Sequence, residues 1–164
     1  MQQILSSLSI ATPGEGFTDI TSEINHWIVK NKITKGILVL SVQHTSCSLT
    51  INENADPRVL NDLSNFLKAL VPESGISPTE GNKEHVPYQH SEEGPDDMPA
   101  HIKTSLTCTS LSLSIENFKL VLGTWQAIYL WEHRYLRHSR KIFLHAIGEV
   151  LKNKSHLQAS AAEV

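Results

Sequence analysis

Apolar residues recur along the chain with two different periods, and the switches between them outline the elements. In residues 2–10, Ile4, Leu8 and Ile10 share one parity among Ser and Gln, which predicts an opening strand. Pro13, Gly14 and Gly16 then mark a turn. From Asp19 the period becomes helical, with Ile20, Ile24, Trp27 and Ile28 on one stripe. Ile37-Leu38-Val39-Leu40, after Gly36, reads as a short buried strand. The next helix is the best signalled: Asp56 caps it, Pro57 tolerates the first position, and Val59, Leu60, Leu63, Phe66, Leu67 and Leu70 form its stripe.

Residues 72–95 carry four prolines and three glycines, so they read as a long loop, a feature that compact domains usually keep for function. Asp96 and Asp97 open a third helix that runs to about Leu106. Leu111, Leu113 and Ile115 then alternate with serines, and Glu116-Asn117 is placed to turn a hairpin into Phe118–Leu122. Trp125–Trp131 and Lys141–Ile147 predict two more strands. The expected class is α+β with mostly antiparallel strands and about three packed helices, in one domain over 1–151 with a flexible tail at 152–164.

Composition narrows the function classes. At 164 residues and 40% hydrophobic, the chain can bury a core without a structural staple. Its 14 basic and 17 acidic side chains argue against a nucleic-acid partner bound through bulk charge. No apolar run approaches the roughly 20 residues that span a bilayer, so no membrane partner is expected, and the first ten residues show no secretory signal. Two cysteines, Cys47 and Cys108, build no disulfide framework, which suits a cytoplasmic setting. Nine histidines in a chain only 6% aromatic direct the search for chemistry to imidazoles.

Three clusters carry that chemistry. Strand alternation through residues 44–52 puts His44, Ser46, Ser48, Thr50 and Asn52 on one face, which pattern alone makes solvent-exposed, and Cys47, Leu49 and Ile51 on the other. Cys47 therefore reads as a buried, inert thiol. In the second cluster, His90 ends the long loop, and Asp97 and His101 lie four residues apart on one helical face, where the carboxylate can orient the imidazole. A loop histidine, a helix histidine and a strand histidine can converge into a three-ligand metal site with an open position. Against this, loop histidines are often merely solvated. In the third cluster, Glu132 emerges at a strand end beside an apolar row, as a general base, a metal ligand, or a partner of Arg134 or Arg137. Arg134, Arg137 and Lys103 are candidate phosphate partners, although no Gly-rich phosphate loop accompanies them.

Read together, His44-Thr45-Ser46, Asn52-Glu53-Asn54-Ala55-Asp56, Tyr88 with His90, Asp97-Met98 with Ala100-His101, and Gly123-Thr124-Trp125-Gln126 with Glu132 resemble the YjbQ-type family. The resemblance implies a two-sheet sandwich assembled as a homotrimer. It also implies a divalent metal, zinc or magnesium, held by His44, His90 and His101 near a subunit interface. Glu132 is then the catalytic residue, and Asn52, Asn54, Asp97 and Arg134 bind a small phosphorylated metabolite. After Glu132 many relatives carry Phe-Asp-Gly-Pro-Arg, where this chain has His133-Arg134-Tyr135-Leu136-Arg137, so no role of that aspartate carries over.

The activity implied is a weak thiamine-phosphate synthase reaction, a transfer joining a pyrimidine methyl diphosphate to a thiazole phosphate. Two alternatives use the same residues: metal-assisted hydrolysis, and a non-catalytic trimer that binds a metabolite. Assembly is expected to cover apolar sheet surface around Trp125, Ile128 and Leu130.

Overall fold

The computed structural model describes residues 1–77 and 84–152; the expected tail lies almost wholly outside the described residues. Alternation starts the chain as β1 (Gln2–Thr12), and a short β2 (Gly16–Asp19) follows the glycine turn. The helical stripe becomes α1 (Thr21–Lys30), with Ile24, Trp27 and Ile28 buried. Then come β3 (Ile33–Val42), β4 (Cys47–Glu53) and α2 (Pro57–Leu70), where the Asp56 carboxylate accepts from the Arg58 amide. After the long loop come α3 (Asp97–Leu106), β5 (Ser110–Glu116), β6 (Lys119–Leu120), β7 (Gln126–Glu132) and β8 (His138–Val150).

These strands form two sheets, one ordered β1-β8-β3-β5-β6 and a smaller one ordered β2-β7-β4, with every pairing antiparallel. The architecture is the α+β class with three helices that the patterning predicts, arranged as the two-sheet sandwich that the resemblance implies. Its core lies between the sheets: Leu38, Leu40, Leu113, Ile115, Ile142 and Leu144 from the large one meet Leu49, Ile128 and Leu130 from the small one, and α1 closes the side. Among the described residues no helix is long and apolar enough to cross a membrane.

The strand predicted over residues 44–52 is shorter than expected, because His44–Ser46 form the turn that leads into β4. Its polar face is also not solvated. Ser48 is buried, as are Tyr129 and Trp131 beside it, because α2 and α3 lie against β4. Alternation marks the two faces correctly, but a sheet covered on both sides buries its polar row as well. The apolar surface expected around Trp125, Ile128 and Leu130 needs a similar correction. Ile128 and Leu130 are fully buried within the chain, and only Trp125 is exposed.

Candidate metal centre

Helix α3 places Asp97 on its first turn and His101 one turn later, so both side chains project from one face. The end of the long loop brings His90 against them. The His90 and His101 rings are 5.5 Å apart between centroids, and one ligand atom from each of His90, Asp97 and His101 lies within 4.8 Å of the others.

The hydrogen bonding decides which atoms are free. His101 Nδ1 lies 2.9 Å from the Thr45 carbonyl, an acceptor, so Nδ1 carries the proton and Nε2 keeps its lone pair. Asp97 Oδ1 accepts from the Arg134 guanidinium. Asp97 Oδ2 lies 2.7 Å from His90 Nε2 and 3.6 Å from His101 Nε2, yet it is buried and takes no geometrically sound hydrogen bond among the described residues. A buried carboxylate oxygen without a hydrogen bond, facing two imidazole nitrogens, is a donor set suited to a divalent cation. The Thr45 carbonyl supplies the backbone partner that orients a ligating histidine.

His44 stands differently. Its Nε2 accepts the Lys141 backbone amide at 2.7 Å, which puts the ring proton on Nδ1 and leaves no free lone pair for a metal. Burial, and then Arg140, lower its pKa. His44 and His101 nevertheless border one cavity of about 430 Å³ between the turn before β4 and α3.

Glu132 ends β7 as expected, but it is fully buried and committed. It accepts from Thr12 Oγ1 at 2.8 Å, from the Arg134 amide at 3.0 Å and from Arg140 Nε at 2.6 Å. Burial pushes its pKa up, yet the bonds from Arg140, the Arg134 amide and Thr12 outweigh burial and hold it below the usual carboxylate value. A carboxylate with these partners is a poor general base. Its ion partner is Arg140 on β8, and neither Arg134 nor Arg137 takes that place.

Two of the three expected phosphate ligands are also engaged. Arg134 binds Asp96 Oδ2 at 3.0 Å, Asp97, and the Glu93 carbonyl at 2.8 Å. Lys103 is buried against Glu15 at 3.1 Å, whereas Arg137 is exposed. Asn52 lies apart from the centre's ligands, in a second cavity of about 410 Å³ with Glu53, Ala55, Trp125 and Gln126. Asn54 spends its amide on the Gln126 carbonyl at 3.5 Å. Sequence reasoning passed over His133. It is buried with one ring nitrogen 2.9 Å from Ser48 Oγ and the other unpartnered among the described residues, and burial lowers its pKa to about 3.

Fold and site together define an α+β sandwich that carries a histidine–aspartate cluster where the long loop meets the first turns of its third helix. The family model described as UPF0047 protein YjbQ-like matches residues 6–149, and the chain belongs to that family. It is 46% identical over 143 residues to the UPF0047 protein sll1880 of Synechocystis, covering 87% of this chain and 90% of that one. The UPF0047 protein YjbQ of Escherichia coli O157:H7 is 40% identical, with 87% and 96% covered. A crystal structure of an uncharacterised YjbQ/UPF0047 protein from Clostridium acetobutylicum superposes with a TM-score of 0.70 at 35% identity, covering 88% of this chain and 99% of the other. A YbjQ-like protein of unknown function from Sulfolobus solfataricus gives a TM-score of 0.72 at 22% identity, covering 90% and 100%, and supports the fold alone.

Proposed function

We propose that this protein is a metal-dependent enzyme acting on a small molecule, with His90, Asp97 and His101 as ligands. The observation that carries the reading is the buried Asp97 Oδ2, which faces two imidazole nitrogens without a hydrogen bond. A plain histidine–carboxylate ion pair would align an N–H with that oxygen. A divalent ion in this place supplies Lewis acidity to a substrate oxygen. Around it, Arg134 fixes the Asp97 carboxylate and Thr45 fixes the His101 tautomer. Glu132 acts from further back by holding the segment that carries Arg134, so we assign it a positioning role.

Among the chemistries this centre allows, metal-assisted hydrolysis has more support than thiamine-phosphate synthesis. A diphosphate leaving group needs several free cations, and of the three candidates Arg134 and Lys103 are already paired, which leaves Arg137 alone. The test is zinc titration followed by calorimetry. We expect one ion per chain and a rise in melting temperature when it binds. Asp97→Asn and His101→Ala should each weaken binding beyond the roughly 10–100-fold that loss of an outer partner costs. His44→Ala should stay within that range. A protein that takes up no ion, or an Asp97→Asn variant that binds like the parent, overturns the centre and favours a non-catalytic binding protein.

Assembly belongs to the same reading. The outward face of the large sheet exposes Leu5, Ile37, Val39 and Ile147 on three adjacent strands, and we propose that this face joins copies of the chain into a trimer.

A further inference from the structure

Asp97 has two carboxylate oxygens, and only one of them is available to the centre. Oδ1 accepts from the Arg134 guanidinium, while Oδ2 faces Nε2 of His90 and Nε2 of His101. A carboxylate can hold a cation through one oxygen or through both. Here the second mode requires Arg134 to let go of Oδ1.

Arg134 is anchored from several sides. Its Nε donates to Asp96 Oδ2 at 3.0 Å, a second N–H goes to Asp97, and a third goes to the Glu93 carbonyl at 2.8 Å. Its backbone amide donates to Glu132 at 3.0 Å, and the next amide, of Tyr135, donates to Asp96 Oδ2 at 2.8 Å. The Arg134 side chain is largely buried and that of Asp97 more so, which limits exchange of these bonds for water. The rigid fork of a guanidinium suits it to bridge two carboxylates.

The donor set left for an ion is therefore two imidazole nitrogens and one carboxylate oxygen. Magnesium and calcium fill shells of about six to eight oxygens, and calcium readily takes both oxygens of one carboxylate. Imidazole suits zinc, iron, nickel and copper instead, and two histidines with one carboxylate and an open position form a zinc arrangement. We infer that Arg134 is a specificity-determining residue of the centre. By occupying Asp97 Oδ1 it holds the carboxylate to one oxygen, and so selects nitrogen-preferring divalent transition ions over oxygen-preferring ones. This role rests on the proposed metal reading, and it sets aside magnesium, one of the two ions that the family resemblance implies.

Competitive titration of the full chain with zinc and manganese tests it, because manganese is the better match to carboxylate oxygens. Sites of this kind bind zinc more tightly than manganese in any case, so the readout is the change in the affinity ratio. Arg134→Met removes every donor to Oδ1 and should lower the zinc-to-manganese ratio by about tenfold, the lower end of what an outer partner is worth to a metal site. A merely structural role would weaken both ions alike and leave the ratio where it was. Arg134→Gln, too short to bridge Asp96 and Asp97, is the second variant should Arg134→Met fold poorly, and it should lower the ratio too. An unchanged ratio in the folded variant, or displacement of zinc from the parent by millimolar magnesium, overturns the role of Arg134 and spares the centre. A parent that takes up no zinc overturns both.

Discussion

Glu132 and His133 are neighbours with opposite placements, and both tie stability to acid. Glu132 points into the sandwich with Thr12 and Arg140, so a buried ion pair joins β7 of the small sheet to β8 of the large one. Removing one partner of such a pair strands the other charge, and Glu132→Gln should cost about 3–5 kcal/mol. Its lowered pKa means that this carboxylate contributes fully above its unfolded value of 4.5 and loses that contribution only as pH falls further. His133, pushed by burial to about 3 from 6.5, acts higher. The unfolded chain takes up the proton that the folded one refuses, so stability is full above pH 6.5 and falls as pH drops toward 3, by up to about 1.4 kcal/mol per unit. Urea unfolding at pH 7, 6 and 5 separates the two. Over that range His133→Gln should flatten the slope and Glu132→Gln should leave it nearly intact; a His133→Gln slope equal to the parent's would show that the ring is not buried neutral.

At the scale of elements, the contact between β3 and β8 is tightly constrained. Gly36 and Gly148 face each other in the register. A Cβ on Gly36 would meet the Ile147 carbonyl oxygen at 2.3 Å, and one on Gly148 would meet that of Lys35 at 2.2 Å. Backbone cannot swing away as a flexible side chain can, so Gly36→Ala should cost at least the about 1–3 kcal/mol of an overpacked core site. Thermal unfolding checks this, and a melting temperature equal to the parent's would contradict the close approach. Elements marked by period and cap were legible in the sequence: α2 begins at Pro57 and β1 spans the predicted alternation. The Asp97–His101 pairing followed from i, i+4 spacing on α3, since both partners lie on one helix. What long-range pairing decides was not legible. Arg140 reaches Glu132 only because the chain reverses between β7 and β8, and Ser48 is buried only because helices cover its sheet. The four-residue β2 was missed because it is defined by its pairing with β7, not by a pattern of its own.

For the whole molecule, the two faces of the large sheet differ in what covers them. The inward face is the core. The outward face carries Leu5, which pairs with His145, and Ile37 with its partner Ile147, all bordered by the serines of β5. Ile37 is 55% exposed and Val39 38%, both in the centre of a five-stranded sheet where a strand's two sides are usually covered. A cyclic trimer closes such a surface with three equivalent heterologous contacts. Val39→Asp buries no charge in the isolated chain, because the residue faces outward, so it should leave the monomer folded. In the proposed trimer it would place a carboxylate in an apolar contact. Light scattering should therefore give three times 18.3 kDa for the parent and 18.3 kDa for Val39→Asp, with matching far-ultraviolet circular dichroism. A parent that already runs at 18.3 kDa when dilute, or a Val39→Asp protein that keeps the parent's mass, would place the contact elsewhere. The zinc titration repeated on the monomeric variant then tells whether the centre is complete within one chain, as the convergence of His90, Asp97 and His101 from a single subunit requires.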